Sequence, residues 1–450
     1  MLMQSRNIGF GVGVTVLTCV LAAYAVVSSL SPKVFTITLT ESGFVPSRLL
    51  IDKGDTVVFI SEVEDAFWPA SDSHPTHGRY PEFDPGRALV PGESWEFTFE
   101  KAGVWTFHDH LRTGLRGKIL VMGAKGESSR NCLKVQTGTI QPECWEAEVV
   151  SVVRTRGTEA AFDSIRTWYE ESSDFRRNCH DVMHIVGVAA YAEYAGKGLV
   201  TIRDETSYCG HGFYHGFVEK MLLERGAGQY AEADAYCTDL KVMKPEAAGS
   251  CYHGIGHAVF DSIDGSLWGN DVGMVDFALG VCQAALSGEW ERVRCGSGIF
   301  NALANAYSAR TYDLTYLDNK PPSLCDNVPK AYQDFCNMEL GNGYIRDKHW
   351  GQAQEIDFIR RIENQEVRAA IIVGYMDTEV KRSIDAVDVG AFAKLCRSFS
   401  IEQDIHACVV GVHSGLRGIG EPENEDGLVE SFCRLLDGPY RMTCTESTRP

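Results

Sequence analysis

CHDVMH (179–184), CGHGFYHGF (209–217) and CYHGIGHAVF (251–260) repeat one phrase, a cysteine followed by two histidines four residues apart. The pairs are His180/His184, His211/His215 and His253/His257, and the second and third run on to Glu219 and Asp261 one turn later. A helix turns every 3.6 residues, so positions four apart share a face. The phrase therefore predicts three helices carrying rows of imidazoles, two of them continued by a carboxylate. Such side chains on facing helices are what a metal site built between helices uses. These eight residues are candidate ligands for a transition metal such as Fe, Zn, Mn or Cu. Because ligation requires neutral imidazoles, affinity is expected to fall as pH drops through about 6. The competing reading is a polar seam in which imidazoles bond neighbouring backbones. HExxH and CxxCH do not occur, which argues against proteolysis of the metzincin type and against c-type haem.

Outward from this stretch the cysteine-led phrase returns about every 40 residues. Copies start at Cys209, Cys251, Cys295, Cys336, Cys408 and Cys444, with AAIIVGYMD (369–377) as a copy that has lost its cysteine. A period of this size predicts stacked helical hairpins. The fourth position of the copies is Gly212, Gly254, Gly298 and Gly411, with Glu339 as the exception. The seventh is His215, His257, Asn301, Asn342 and Ser414. Glycine inside a helix costs about 1 kcal/mol relative to alanine, so its recurrence predicts close helix approach, or space for something bound against the backbone. Later repeats thus keep a polar residue where the early ones keep histidine. His349, His406 and His413 are isolated and read as structural, and the acidic run 421–426 reads as a solvated loop.

Of the 15 cysteines, all but Cys19 fall into neighbouring pairs: 132/144, 179/209, 237/251, 282/295, 325/336, 396/408 and 433/444. This spacing predicts a disulfide framework and an oxidising compartment. Each bridge would contribute about 2–4 kcal/mol. Export agrees with the start of the chain, where Ile8–Leu30 is free of charge and long enough, at roughly 23 residues, to cross a bilayer. Arg6 precedes it, favouring an inside N-terminus. Ala23-Tyr24-Ala25 could serve as a signal-peptidase site, but the apolar run continues past it, so an uncleaved anchor is the preferred expectation. The net charge of −19 argues against nucleic acid or anionic lipid as partners, and Lys and Arg are scattered without a basic patch.

Between Ser31 and Asn131 the pattern is strand-like. FTITLT (35–40), LLIDKGDTVVFI (49–60), SWEFTFE (94–100), VWTFH (104–108) and GKILVM (117–122) alternate between glycine, proline and aspartate turns. The F-x-P of Phe44–Pro46, the K-G-D-x-V-x-F of 53–59, the P-G-E-S turn of 91–94, and A-G-x-W-x-F (102–107) followed by G-K-I-L-V (117–121) resemble the cupredoxin, or plastocyanin-like, family over about 90 residues. The resemblance implies a Greek-key β-sandwich. It also implies a copper site whose cysteine slot falls on Phe107 and whose axial methionine slot falls on Leu115. His110 keeps the second histidine slot, and the first falls near Phe67–Ala70, where there is none. A thiolate copper centre is excluded, since no cysteine lies in this region and the Cu–S bond defines such a centre. His74, His77, His108 and His110 are left as candidate ligands, with 108 and 110 on one face of a strand. An all-imidazole set suits copper or zinc. A sandwich that lost its metal and kept surface histidines is the other reading.

The expected plan is multidomain. A cytoplasmic stub and membrane anchor or signal (1–31) precedes a cupredoxin-like β-sandwich (32–123), a linker (124–131) and an all-α, disulfide-stapled helical-hairpin repeat domain (132–450). The expected function is a membrane-anchored metalloprotein with its bulk on the exported, periplasmic or extracellular side, acting in metal handling or metal-dependent redox chemistry. As an enzyme it would be a metal-dependent oxidoreductase, with a redox or envelope protein as partner. The alternative is a non-catalytic envelope binding or scaffold module with structural histidines.

Overall fold

The computed structural model describes residues 32–122 and 141–446, apart from 41–42, 73–76, 79, 102, 198–201, 226–229, 264, 310–311, 313, 315–322, 385 and 419–421. The expected span Ile8–Leu30, His74, Cys132 and the linker lie outside the described residues. Among the described residues no helix is long and apolar enough to cross a membrane.

Among the described residues eight strands form the sandwich: β1 (Val34–Thr40), β2 (Gly43–Val45), β3 (Arg48–Asp52), β4 (Thr56–Ser61), β5 (Pro69–Ser71), β6 (Trp95–Thr98), β7 (Gly103–Asp109) and β8 (Arg112–Met122). One sheet has the order β2-β1-β4-β6 and the other β3-β8-β7-β5. β1 pairs parallel with β4, and β3 with β8. Alternation along β1 and β4 buries Ile37, Leu39, Val57 and Phe59. The centre is aromatic: Phe107 packs edge-on against Phe44 and Phe59 with centroids 4.8 and 5.4 Å apart. Phe107, in the slot where the family resemblance puts a thiolate, is thus a core side chain with no exposed surface.

From Gln141 onward the described elements are helical. Among the described residues seven helices make an inner row, each touching the next: His180–Lys197, Tyr208–Arg225, Pro245–Asp261, Glu289–Ala309, Lys330–Asp347, Gln365–Arg382 and Glu402–Arg417. Helices including Tyr230–Met243, Asp271–Ala285, Gln352–Arg360 and Val389–Arg397 return behind them. This is the stacked-hairpin array that the repeat predicts, and the copy without a cysteine occupies its place in the row. Residues 422–426 of the acidic run, expected as a loop, instead belong to the helix Pro422–Arg434.

Disulfides 179–209, 237–251, 282–295, 325–336, 396–408 and 433–444 form as the spacing predicts, and Cys144 is also bridged. Four of them tie a returning element to the start of the next inner helix: 237–251, 282–295, 325–336 and 396–408. The wider 179–209 bridge differs, because it pins the starts of two neighbouring inner helices to each other.

The recurring glycines explain why the row is tight. An added Cβ at Gly212, Gly298 or Gly411 would lie well under 3.0 Å from the carbonyl oxygen of His180, His253 or Val373 on the preceding inner helix. Gly216 and Gly256 meet the carbonyls of His184 and Cys295 in the same way. Backbone therefore packs on backbone, and the residues beside each glycine are forced together across the helix contact. The two domains also touch. Lys118 pairs with Glu146 at 3.3 Å and Arg154 with Asp52 at 2.8 Å, while Leu120 joins the helical core.

Candidate metal centres

In the sandwich, β7 delivers His108 and the turn after it His110, and His77, beyond β5, lies over them. The three rings lie 4.9–6.2 Å apart between centroids, and one nitrogen from each falls within a 4.8 Å set. His108 has no exposed surface and His77 is 4% exposed. His77 Nδ1 donates to Asp84 Oδ2 at 2.6 Å and His108 Nδ1 donates to Asp72 Oδ1 at 2.8 Å. A carboxylate can only accept, so each ring carries its proton on Nδ1 and keeps a lone pair on Nε2. Nε2 of His77 faces His110 Nδ1 at 2.9 Å.

The carboxylates are held in turn. Asp84 accepts from Trp68 Nε1 at 2.7 Å and from Gly86 N–H at 2.7 Å. Burial raises its pKa, but the Gly86, Trp68 and His77 bonds outweigh that and keep it below the ordinary value. Asp72 behaves likewise: burial pushes it up, and His108, Thr106 and Arg116 bring it down. Both acids therefore stay ionised behind the imidazoles. This carboxylate–histidine arrangement is the support that metal-ligating histidines use. Neither Asp72 nor Asp84 was among the sequence candidates. Trp68 both holds Asp84 and lies 4.4 Å from the His110 ring.

The second centre sits where the first three inner helices meet. His180 and His184 stack one turn apart at the start of their helix, with Nε2 atoms 3.1 Å apart. His253 and His257 repeat this two helices along, again at 3.1 Å. Two imidazole nitrogens bound to one ion at about 2.0–2.1 Å would be roughly 3.3 Å apart, so each pair is already spaced as a chelate. His215 lies between the pairs, its ring 5.2–5.4 Å from His180, His184, His253 and His257. His180, His184 and His215 offer nitrogens within one 4.8 Å set.

Tautomers follow from the partners. His180 Nδ1 donates to Cys209 O at 2.8 Å, a contact that the 179–209 bridge enforces. Ser297 Oγ gives its only proton to Arg294 O at 2.7 Å, so it accepts from His253 Nδ1 at 2.9 Å. In both pairs the first histidine thus turns its Nε2 lone pair toward the second. Glu219 Oε2 lies 3.6 Å from His184 Nδ1, behind the imidazole and beyond hydrogen-bond reach, so it stands outside the ligand row. Asp261 accepts from Tyr312 at 2.9 Å. Burial, reinforced by neighbouring imidazoles, lowers His180 and His257 to about 4 and takes His215 and His253 well below 6.5.

His211 does not join this group. Cys209, Gly210 and His211 have φ of 59, 64 and 60°, in the left-handed region. Regular helix therefore begins only after His211, and the four-residue spacing to His215 no longer shares a face. Its ring meets Tyr214 at 6.3 Å and no imidazole. The centre thus has five imidazoles rather than six.

From His257 the seventh positions continue as a hydrogen-bonded wall. Asn301 bonds His257 and donates to Glu339 at 2.8 Å, Asn342 donates to Thr378 at 2.8 Å, and Ser414 donates to Asp377 at 2.8 Å. This wall borders a cavity of about 750 Å³ that reaches His180, His215 and His253 at one end.

No family model matches the sequence, and no curated protein matches it. Among solved structures the chain is similar to a novel purple cupredoxin from Nitrosopumilus maritimus, with 20% identity over 19% of this chain and 98% of that one, at a TM-score of 0.18. It is also similar to a proline-to-glycine mutant of amicyanin in its reduced Cu(I) form at pH 4, with 19% identity over 21% of this chain and 87% of that one, at a TM-score of 0.18.

Proposed function

We propose that the chain is an exported metalloprotein with two histidine-based transition-metal sites, acting in metal handling or metal-dependent redox chemistry. The sandwich site would hold copper or zinc through His77, His108 and His110. The helical site would hold one or two ions of Fe, Zn, Mn or Cu through His180, His184, His215, His253 and His257. One observation carries this reading: in both places the first histidines are tied through Nδ1 to a carboxylate, carbonyl or hydroxyl, and three imidazoles gather with one nitrogen each inside a single 4.8 Å set. A polar seam satisfies imidazoles pairwise and has no reason to gather three of them at one point. Copper bound at such sites supplies one-electron chemistry, whereas zinc supplies Lewis acidity. The protein's own contribution is to keep His180, His215, His253 and His257 neutral, to fix the tautomers of the first histidines, and to exclude bulk water from His77 and His108. Export is supported by the disulfide framework, which needs an oxidising compartment; membrane attachment through the charge-free run Ile8–Leu30 belongs to the same proposal.

The sandwich site is tested by loading the full chain with Cu(II). Because Phe107 is a core residue and no sulfur reaches the site, the copper form should lack the intense visible thiolate band. His108→Ala should abolish the copper signal that His77, His108 and His110 produce, and Asp72→Asn should weaken copper by about 10–100-fold. Full copper binding in His108→Ala would sink the assignment.

A further inference from the structure

The sequence scatters its lysines and arginines, yet the helical array gathers six of them around one cavity: Arg176, Arg177, Arg294, Arg346, Lys381 and Arg382. Glu339 and Asp377 are the acids on the same lining. A chain of net charge −19 thus turns a cationic concave face toward the histidine cluster. Residues a repeat apart stack on successive inner helices, so distant positions in sequence become neighbours.

Two of these cations lack the partner that burial demands. Arg294 bonds only Gly249 O, at 3.4 Å, and its guanidinium stands 5.5 Å from the Phe335 ring. Burial pushes its pKa below the ordinary value, although the charges of Glu339 and Asp377 oppose this. Arg346 reaches Asn305 Oδ1 at 3.2 Å, and its buried Nε has no partner. Neither forms an ion pair among the described residues. Burial raises the pKa of Glu339, and its carboxylate accepts from Asn301 Nδ2 at 2.8 Å rather than from either arginine. A cation drawn partly out of water without an anion is unfavourable, and a bound anion would relieve that.

We propose that this cavity binds a small molecule bearing an oxyanion, a phosphate or carboxylate, received by Arg294 and Arg346 beside Lys381. The planar guanidinium presents paired donors that match such groups. The volume of about 750 Å³ suits a metabolite-sized ligand rather than a polymer. The far end of that ligand would reach His180, His215 and His253. Only this last feature rests on the histidine cluster being a metal centre, since the arginine seat requires no metal.

The test is calorimetric titration of the full chain, before and after dialysis against chelator, with inorganic phosphate and with succinate as probes and glycerol as a neutral control. At least one anion should bind saturably and glycerol should not. Arg294→Gln and Arg346→Gln should each weaken binding at least about tenfold while metal content stays unchanged. Arg346 is the less constrained of the two, so its variant covers the case in which Arg294→Gln fails to fold. Absence of binding by both anions up to about 10 mM would overturn the proposal. So would wild-type affinity in Arg346→Gln, or binding that vanishes with the metal and ignores both arginines. Anion binding that survives in metal-free protein and falls in the variants supports this proposal even if the metal reading fails.

Discussion

Gly298→Ala should destabilise the helical domain by about 3 kcal/mol or more, at the upper end of what overpacking does. The added methyl would press into the carbonyl oxygen of His253, with the backbone of Gly256 also close by. Both obstacles are backbone, so no side chain can rotate away, and the two inner helices must separate. Separation would also pull Ser297 from His253, now 2.9 Å apart, and loosen the second chelating pair. A matched control exists in Gly280, an exposed helix-interior glycine with nothing within 4 Å of an added Cβ. There the same change should stabilise by about 0.5–1 kcal/mol through helix propensity alone. Thermal unfolding followed by circular dichroism measures both. A tolerated Gly298→Ala would mean that close helix approach does not assemble the site.

The double substitution His180→Ala/His184→Ala should lower affinity for the helical-site metal by more than the about 10–100-fold that loss of an orienting partner costs. It removes both nitrogens of one chelate and leaves His215 without its neighbours on that side. Ser297→Ala, which frees the His253 tautomer but removes no ligand, should fall within that smaller range. The pH dependence is a second readout, and here the structure revises the expectation drawn from the sequence. With His180 and His257 lowered to about 4 by burial and neighbouring imidazoles, protons compete with metal near pH 4, not near 6. Affinity should stay nearly level down to about pH 5 and then fall. Stability of the metal-free protein follows the same sign. The unfolded histidines take up protons near 6.5 while the folded ones remain neutral to about 4, so stability is lost as pH falls between those values. A steep loss of metal centred near pH 6 would contradict this placement of the histidines.

The helical array, the cysteine pairing and the sandwich were legible because each depends on regular spacing. Periodic glycine and cysteine specify helix contacts that repeat, and alternation along β1 and β4 specifies which face is buried. Cys209–His211 was not legible, because cysteine and histidine seldom adopt left-handed backbone, and nothing in CGHGFYHGF distinguishes a helix that starts before His211 from one that starts after it. Asp72 and Asp84 were missed for a different reason. They reach the imidazoles only when the segment between β5 and β6 folds back, and short-range pattern carries no record of that closure. Ser297 could have been suspected, since it lies two residues after Cys295 in the repeat phrase, where the second and third copies carry histidine. Arg294 and Arg346 form a shared lining only once the inner helices are stacked.

Metal analysis of the full chain, purified without added metal and then equilibrated with micromolar Cu(II) or Zn(II), tests the central claim most directly. Wild type should bind metal at both centres. His108→Ala should lose the sandwich ion alone, and His180→Ala/His184→Ala should lose metal only from the helical centre. Metal-free wild type after equilibration, or metal content unchanged in both variants, would reduce the converging imidazoles to packing and contradict a metal-binding function.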